Sequence, residues 1–153
     1  MIGPSRVVLP KTTPDNYAAL RKLRETVVNG AMAAGLEPLL IDLVNTRASQ
    51  INGCTLCLDL HAKEARDKGE TEQRLYVLSA WREAPFFTER ERAALELTES
   101  VTLVHNDQVP DDVYDAAARE FGEQELSQLL WVITVINTLN RVAISTRMQP
   151  AKG

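Results

Sequence analysis

The residues able to carry out chemistry on a small molecule are few, and they sit together. The run SQINGCTLCLDLHAKEA, residues 49–65, holds both cysteines of the chain, Cys54 and Cys57, and one of its two histidines, His61. Asn52-Gly53 is a turn signal directly before a helical pattern, so Cys54 is expected at or beside a helix N-terminus and Cys57 one turn in. His61 follows Cys57 at i+4, which stacks the two side chains on one helix face. At about 100° per residue, Cys54, Cys57, Leu58, His61, Ala62 and Ala65 form one stripe, with Lys63 on the opposite side. Both thiols and the imidazole are thus expected to point inward together.

That placement has chemical consequences. Free N–H groups and partial positive charge at a helix N-terminus stabilise an anion and lower the pKa of a nearby thiol. His61 can take the Cys57 proton or, as imidazolium, stabilise the thiolate. A thiolate that meets an oxidant becomes a sulfenic acid, and a thiol one turn away can condense with it to a disulfide. The cycle needs only Cys57 to attack, Cys54 to resolve and an external dithiol to reset the pair. Two plainer readings remain open. In the first, Cys54, Cys57 and His61 bind structural zinc, which needs a fourth ligand, His105 or Asp42, and there is no second CxxC. In the second, both cysteines are small buried apolar groups and nothing more. A thioredoxin-type site does not fit, because the segment before Cys54 reads as a helix rather than a strand.

The elements that must hold this stripe also read as helices. A first segment starts near Pro14, carries Tyr17, Leu20, Leu23, Val27 and Ala31, and is expected to fade at Gly30. Leu36, Leu39, Leu40, Leu43 and Val44 mark one face of the next. The cysteine helix should run from about Cys54 to Asp67 and stop at Gly69. A short helix from Thr71 carries Leu75, Leu78 and Trp81. Pro85 then breaks the chain, and Thr88 with Glu91 forms a capping box for a helix to about Val104. Another helix starts at Pro110, and the last spans about Glu123 to Arg147, apolar on nearly all sides between Leu129 and Ile136 and so wrapped by other helices. No alternating strand pattern of useful length appears; Arg6 to Leu9 is read as an extended arm. The expectation is one all-α helical domain over residues 14–147, with an N-terminal arm at 1–13 and a C-terminal tail at 148–153.

Bulk properties bound the partners. The 153 residues are 44% hydrophobic and 25% charged, with a formal net charge of −4 and no clustered basic patch, which argues against a nucleic-acid surface. Two cysteines exclude a disulfide-framework fold. The stretch Leu129 to Ile136 is interrupted by Thr134 and ends at Asn137, so it reads as a core helix rather than a membrane anchor. Met1 to Pro10 is too short and broken for a signal peptide, and a cytoplasmic location is expected.

These features resemble the alkylhydroperoxidase D-like branch of the carboxymuconolactone decarboxylase superfamily. The likeness rests on LIDLVNTRASQINGCTLCLDLHAKEAR (residues 40–66), ETEQRLYVLSAWRE, FFTERERAALELTE and INTLNRVAI, and so extends from about Leu36 to Arg147. It implies an all-α bundle oligomerising through its helices as trimers or hexamers, and a peroxidase in which Cys57 is the peroxidatic residue, Cys54 the resolving one and His61 the motif histidine. It further implies no haem or flavin, a small hydroperoxide as substrate, and a dithiol or lipoyl-type reductant. Two positions depart from the family pattern. The relay glutamate twelve residues before the first cysteine is Asp42, one methylene shorter and off the apolar stripe of its helix, so that only packing can bring it to His61. The histidine between the cysteines is replaced by Leu56, which implies slower peroxide turnover or another thiol–disulfide task. The decarboxylase branch lacks the redox pair; a lyase here would use His61 as base. A redox-sensing oligomer without substantial turnover is the other alternative.

The remaining polar and aromatic candidates read as structural. His105 falls in a polar loop, and Trp81 and Trp131 lie on apolar patterns suited to core or interface packing. Asn137, Asn140 and Arg141 interrupt the last helix and must find partners, in the backbone, in another subunit or, for Arg141, at the cysteine pocket.

Overall fold

The computed structural model describes residues 6–152. Met1 to Ser5 of the arm and Gly153 of the tail lie outside the described residues. Among the described residues nine α-helices follow one another: α1 Leu9–Thr12, α2 Pro14–Ala34, α3 Pro38–Asn52, α4 Thr55–Asp67, α5 Glu72–Tyr76, α6 Glu89–Thr102, α7 Val104–Asp107, α8 Asp111–Glu120 and α9 Glu123–Thr146. A 3-10 turn at Leu78–Ala80 joins α5 to the loop before α6. There is no strand among the described residues, so the all-α expectation holds.

The bundle is organised around two helices. α9 packs on α2, α3, α4, α6 and α8, and α3 packs on α4, α6 and α9. Together α4, α6 and α9 wrap α3 almost completely: Leu40 to Thr46 is an unbroken buried run, joined by Ala48 and Ser49. A helix enclosed on this many sides buries its polar positions along with its apolar ones, and Asp42, Asn45, Thr46 and Ser49 all lie inside. Apolar periodicity reveals only the face of a helix that is apolar, and does not reveal this enclosure.

Several helix ends follow from local chemistry. Pro14 and Pro38 sit in the first turns of α2 and α3, where a missing N–H costs nothing. Thr88 accepts from the Glu91 N–H while the Glu91 carboxylate accepts from the Thr88 N–H, closing the expected capping box of α6. Pro110 is the residue before α8 rather than its first helical position.

Other boundaries differ from the sequence reading. α2 does not fade at Gly30 but runs on to Ala34, with left-handed Gly35 as its stop. Gly30 instead lies where the Gln128 side chain of α9 crosses α2, its amide nitrogen 2.9 Å from where a Cβ would stand. α6 ends at Thr102 rather than near Val104, and the short α7 follows. The arm is not extended throughout, since α1 occupies Leu9–Thr12. Leu75, Leu78 and Trp81 belong to three successive segments rather than one helix, yet share a core cluster with Leu43, Phe87 and Leu95.

α9 is long and apolar enough to cross a membrane by length and composition, with a mean hydropathy of 1.3 over its best window. In this fold it is a core helix: Leu129, Val132, Ile133, Val135 and Ile136 are buried against its neighbours. It is not wrapped on every side, because Trp131 remains 52% exposed.

Candidate active site

The site is built where α3 turns into α4. Gly53 closes α3 in the left-handed conformation, φ 70°, which a side chain would disfavour, and this turn delivers Cys54 as the N-cap of α4. The Cys54 sulfur accepts the Cys57 N–H at 3.3 Å. Cys54 and Cys57 are joined as a disulfide, with Cα atoms 5.3 Å apart. One turn further, His61 is buried at 2% exposure, and Ala65 is fully enclosed. The inward stripe expected from the spacing is therefore present, with Leu58 and Ala62 half-buried beside it.

The turn is anchored from α9. Asn52 donates from one amide nitrogen to the side-chain oxygens of both Asn137 and Asn140, each at 2.9 Å, and Asn140 donates to Ser49 Oγ at 3.0 Å. Asn137 also donates to Thr102 Oγ and to the Ile133 carbonyl. Arg141 donates back to Asn137 and does not line the cysteine cavity. The interrupting polar residues of α9 thus fasten the end of α3 at Asn52, just before the turn that carries the first sulfur.

Cys57 and His61 open into a cavity of about 260 Å³ whose other walls are Leu56 and Leu60 of α4, Tyr17, Arg21 and Arg24 of α2, Leu139, Val142 and Ala143 of α9, and Met148. Cys54 lies behind it, packed against Ala143, Leu56 and Met148. The sulfurs are thus inequivalent, since Cys57 borders the cavity and Cys54 backs it.

Behind His61 lies a carboxylate pair that the sequence reading found only in part. His61 Nδ1 is 2.9 Å from Glu64 Oε2, one turn along α4. That bond is the main reason the Glu64 carboxyl is held below its ordinary range, against the opposing effect of burial. A carboxylate can only accept, so Nδ1 carries the proton and Nε2 is the basic nitrogen of neutral His61. Arg24 adds a longer contact to the same Glu64 oxygen at 3.5 Å.

Packing of α3 on α4 brings Asp42 into this group, and ligand atoms of Asp42, His61 and Glu64 lie within 4.8 Å of one another. The Asp42 carboxylate, however, bonds Lys68 Nζ at 2.6 Å. Burial raises its pKa, and the Lys68 hydrogen bond and charge offset only part of that rise. The three residues are the described set best able to hold a cation. Lys68 already supplies the positive charge beside Asp42, and His61 takes up Glu64, so the set is satisfied as a proton and ion-pair network. His105 is exposed on α7.

Glu64 is the side chain bonded to His61 that the sequence alone does not single out. The signal is present as His61 and Glu64 at i, i+3 on one helix, a spacing that ordinary exposed pairs share. Lys68 gave no signal at all, because its partner is on α3. Trp81 is a core residue, its ring nitrogen donating to Glu99 at 2.8 Å.

An all-helical bundle presenting a CxxC pair and a buried histidine on one helix defines a class of thiol-containing domain. The chain belongs to the carboxymuconolactone decarboxylase family, whose family model matches residues 14–100. It is 43% identical over 104 residues to the uncharacterised protein YdfG of Bacillus subtilis (strain 168), covering 68% of this chain and 71% of that one. Over a shorter stretch of 57 residues it is 42% identical to the alkyl hydroperoxide reductase AhpD of Acidobacterium capsulatum, covering 37% of this chain and 30% of that one. The fold matches a crystal structure from Agrobacterium tumefaciens, described as a protein of unknown function and a candidate antioxidant defence protein AhpD. The TM-score is 0.88 at 36% identity, over 97% of this chain and 100% of that one. The same fold, at 20% identity and TM-score 0.77 over 91% of this chain and 72% of that one, occurs in the debrominase Bmp8.

Proposed function

We propose that the protein is a thiol-dependent hydroperoxidase in which Cys57 attacks and Cys54 resolves. The observation that carries this reading is the asymmetry of the pair: Cys57 borders the cavity with His61, while Cys54 backs it as the N-cap of the same helix. The likeness to an alkyl hydroperoxide reductase AhpD is in keeping with it.

In the reduced enzyme Nε2 of His61 accepts the Cys57 proton, and the N-terminal turn of α4 stabilises the thiolate. The thiolate attacks the terminal oxygen of the hydroperoxide. An S–O bond forms as the O–O bond breaks, and the leaving alkoxide takes the proton from the His61 imidazolium. Cys54 then attacks the Cys57 sulfenic acid, giving the disulfide and one water. An external dithiol, of the lipoyl or another type, returns both thiols and is itself oxidised. Glu64 holds the His61 ring with Nε2 as base, and buried Asp42 stands behind it, paired with the exposed Lys68. The reading includes an assembly of several copies.

The test is consumption of tert-butyl hydroperoxide with dithiothreitol as reductant. Cys57→Ser is expected to abolish turnover, and unchanged turnover in that variant would sink the assignment. Cys54→Ser is expected to leave a sulfenic acid at Cys57 that dimedone traps and intact-mass spectrometry reads. Lyase activity surviving the loss of both cysteines would favour His61 as a base in a different reaction.

A further inference from the structure

The walls of the cysteine cavity carry a charge bias that the peroxidase reading does not explain. The chain as a whole is acidic, with a net charge of −4. Yet the cavity around Cys57 is bordered by two guanidinium groups, Arg21 and Arg24, and by no carboxylate. The two arginines sit one turn apart on α2, on the same face as Tyr17, and all three also line a neighbouring open groove of about 630 Å³ along that helix. They therefore stand where the cavity meets solvent. Arg24 is partly engaged, at 3.5 Å from Glu64. Arg21 makes no ion pair among the described residues, since the nearby pair on α2 is Lys22 with Glu25. The rest of the wall is mostly apolar, with Leu56, Leu60, Leu139, Val142 and Met148. A cationic mouth over an apolar pocket that ends at a thiol selects a molecule with three parts: an anionic head, an apolar body and an electrophilic oxygen.

We infer that the preferred substrate is a hydroperoxide on a short or medium apolar chain that bears a carboxylate, its head held at Arg21 and its peroxide delivered to Cys57. The inference rests on the peroxidase reading for its chemistry, and the reaction is the one balanced above, in which the O–O bond is cleaved and the product is the hydroxy acid. The cavity, about 260 Å³, lies just under the range of about 300–1,000 Å³ common for small-molecule pockets, which suits a chain of modest length. Guanidinium pairs with carboxylate through two parallel hydrogen bonds, so the head is recognised by geometry as well as charge.

Two measurements separate this inference from the reading beneath it. Octanoate and 1-octanol share a chain and differ in charge, and neither is turned over. Calorimetry on the wild-type protein is expected to show octanoate binding about tenfold more tightly than 1-octanol. Arg21→Gln is expected to erase the difference and Arg21→Lys to keep much of it. Turnover of 8-hydroperoxyoctanoate is then compared with that of its methyl ester. The acid-to-ester ratio of kcat/KM is expected near tenfold in wild type and near one in Arg21→Gln. Octanoate binding no tighter than 1-octanol, or equal rates on acid and ester, overturns the anion-recognition inference while leaving peroxidase chemistry standing. Arg21-dependent octanoate binding with no hydroperoxide consumed by any form overturns the substrate assignment together with the peroxidase reading, and leaves an anion site to be explained.

Discussion

At the scale of single residues, the two carboxylates beside His61, buried Asp42 and half-buried Glu64, have pKa values shifted in opposite directions, and pH separates them. Glu64 is held below its ordinary value of 4.5, chiefly by the His61 bond. A group with a depressed folded pKa contributes stability that is complete above 4.5 and is lost as pH falls through the lower folded value. Asp42 is raised above 3.8, chiefly by burial, so its ionisation works against the fold, and that penalty develops as pH rises from 3.8 through the folded value. Glu64→Gln is therefore expected to lose stability relative to wild type at neutral pH and to close the gap as the solution is acidified. Asp42→Asn should show the reverse trend, gaining on wild type as pH rises through the acid range. Urea midpoints from pH 3 to 7 measure both, and parallel trends for the two variants would contradict the assignment. Both carboxylates are present in the sequence as plain acidic residues. The spacing of Cys54, Cys57 and His61 is legible because all three sit on one helix, where sequence distance is spatial distance. Asp42 with Lys68 is not, because the contact crosses from α3 to α4 and depends on how deeply α3 is enclosed.

At the scale of elements, the position of the reactive turn is set by a side-chain network rather than by apolar packing alone. Asn140 is fully buried and serves Asn52 and Ser49 together. Truncation removes the bond to buried Ser49 and one of the two that Asn52 makes, at a cost of about 1–3 kcal/mol. Asn140→Ala is expected to lower the urea midpoint accordingly, and the same variant should slow sulfenic-acid resolution by loosening the start of α4. Gly30 makes the opposite case. It lies inside α2, and only the tip of the flexible Gln128 side chain occupies the space of a Cβ. Gly30→Ala should therefore stabilise by up to about 1 kcal/mol, the gain in helix propensity, as Gln128 moves aside. Loss of stability would mean the crossing is tighter than a movable amide allows. Several helix limits are legible from local signals: Pro14, Gly53 and the Thr88–Glu91 box act locally. The end of α2 was misplaced because a glycine in mid-helix and a glycine at a helix end look alike until the neighbouring helix is known.

At the scale of the whole molecule, α9 leaves one of its faces open. Trp131, Thr134, Thr138, Arg141, Ile144 and Ser145 recur along it and are all exposed, with Trp131 at 52% and Ile144 at 40%. Single exposed apolar residues are ordinary on a protein surface. A tryptophan half in water on the central helix is a stronger signal, because aromatic rings concentrate at protein–protein contacts. The apolar run Leu129 to Ile136 reads in sequence as a helix enclosed on nearly all sides. Within one chain the enclosure is incomplete, and Trp131 is where it fails. Copies of the chain are expected to complete it. Sedimentation of the wild-type protein should then give a mass of several 17.0 kDa chains, and Trp131→Arg should shift it toward one chain without loss of helical circular dichroism. A single-chain mass for wild type at tens of micromolar would remove the expectation. The same experiment on oxidised and reduced samples weighs the two uses of the cysteine pair. Because the sulfurs sit at the start of α4, one bordering the cavity and one behind it, rather than on the open face of α9, a hydroperoxidase should keep one mass in both states. A protein that senses oxidant by changing its assembly should not, and a mass that follows the redox state of Cys54 and Cys57 alongside negligible turnover would replace the peroxidase reading with that one.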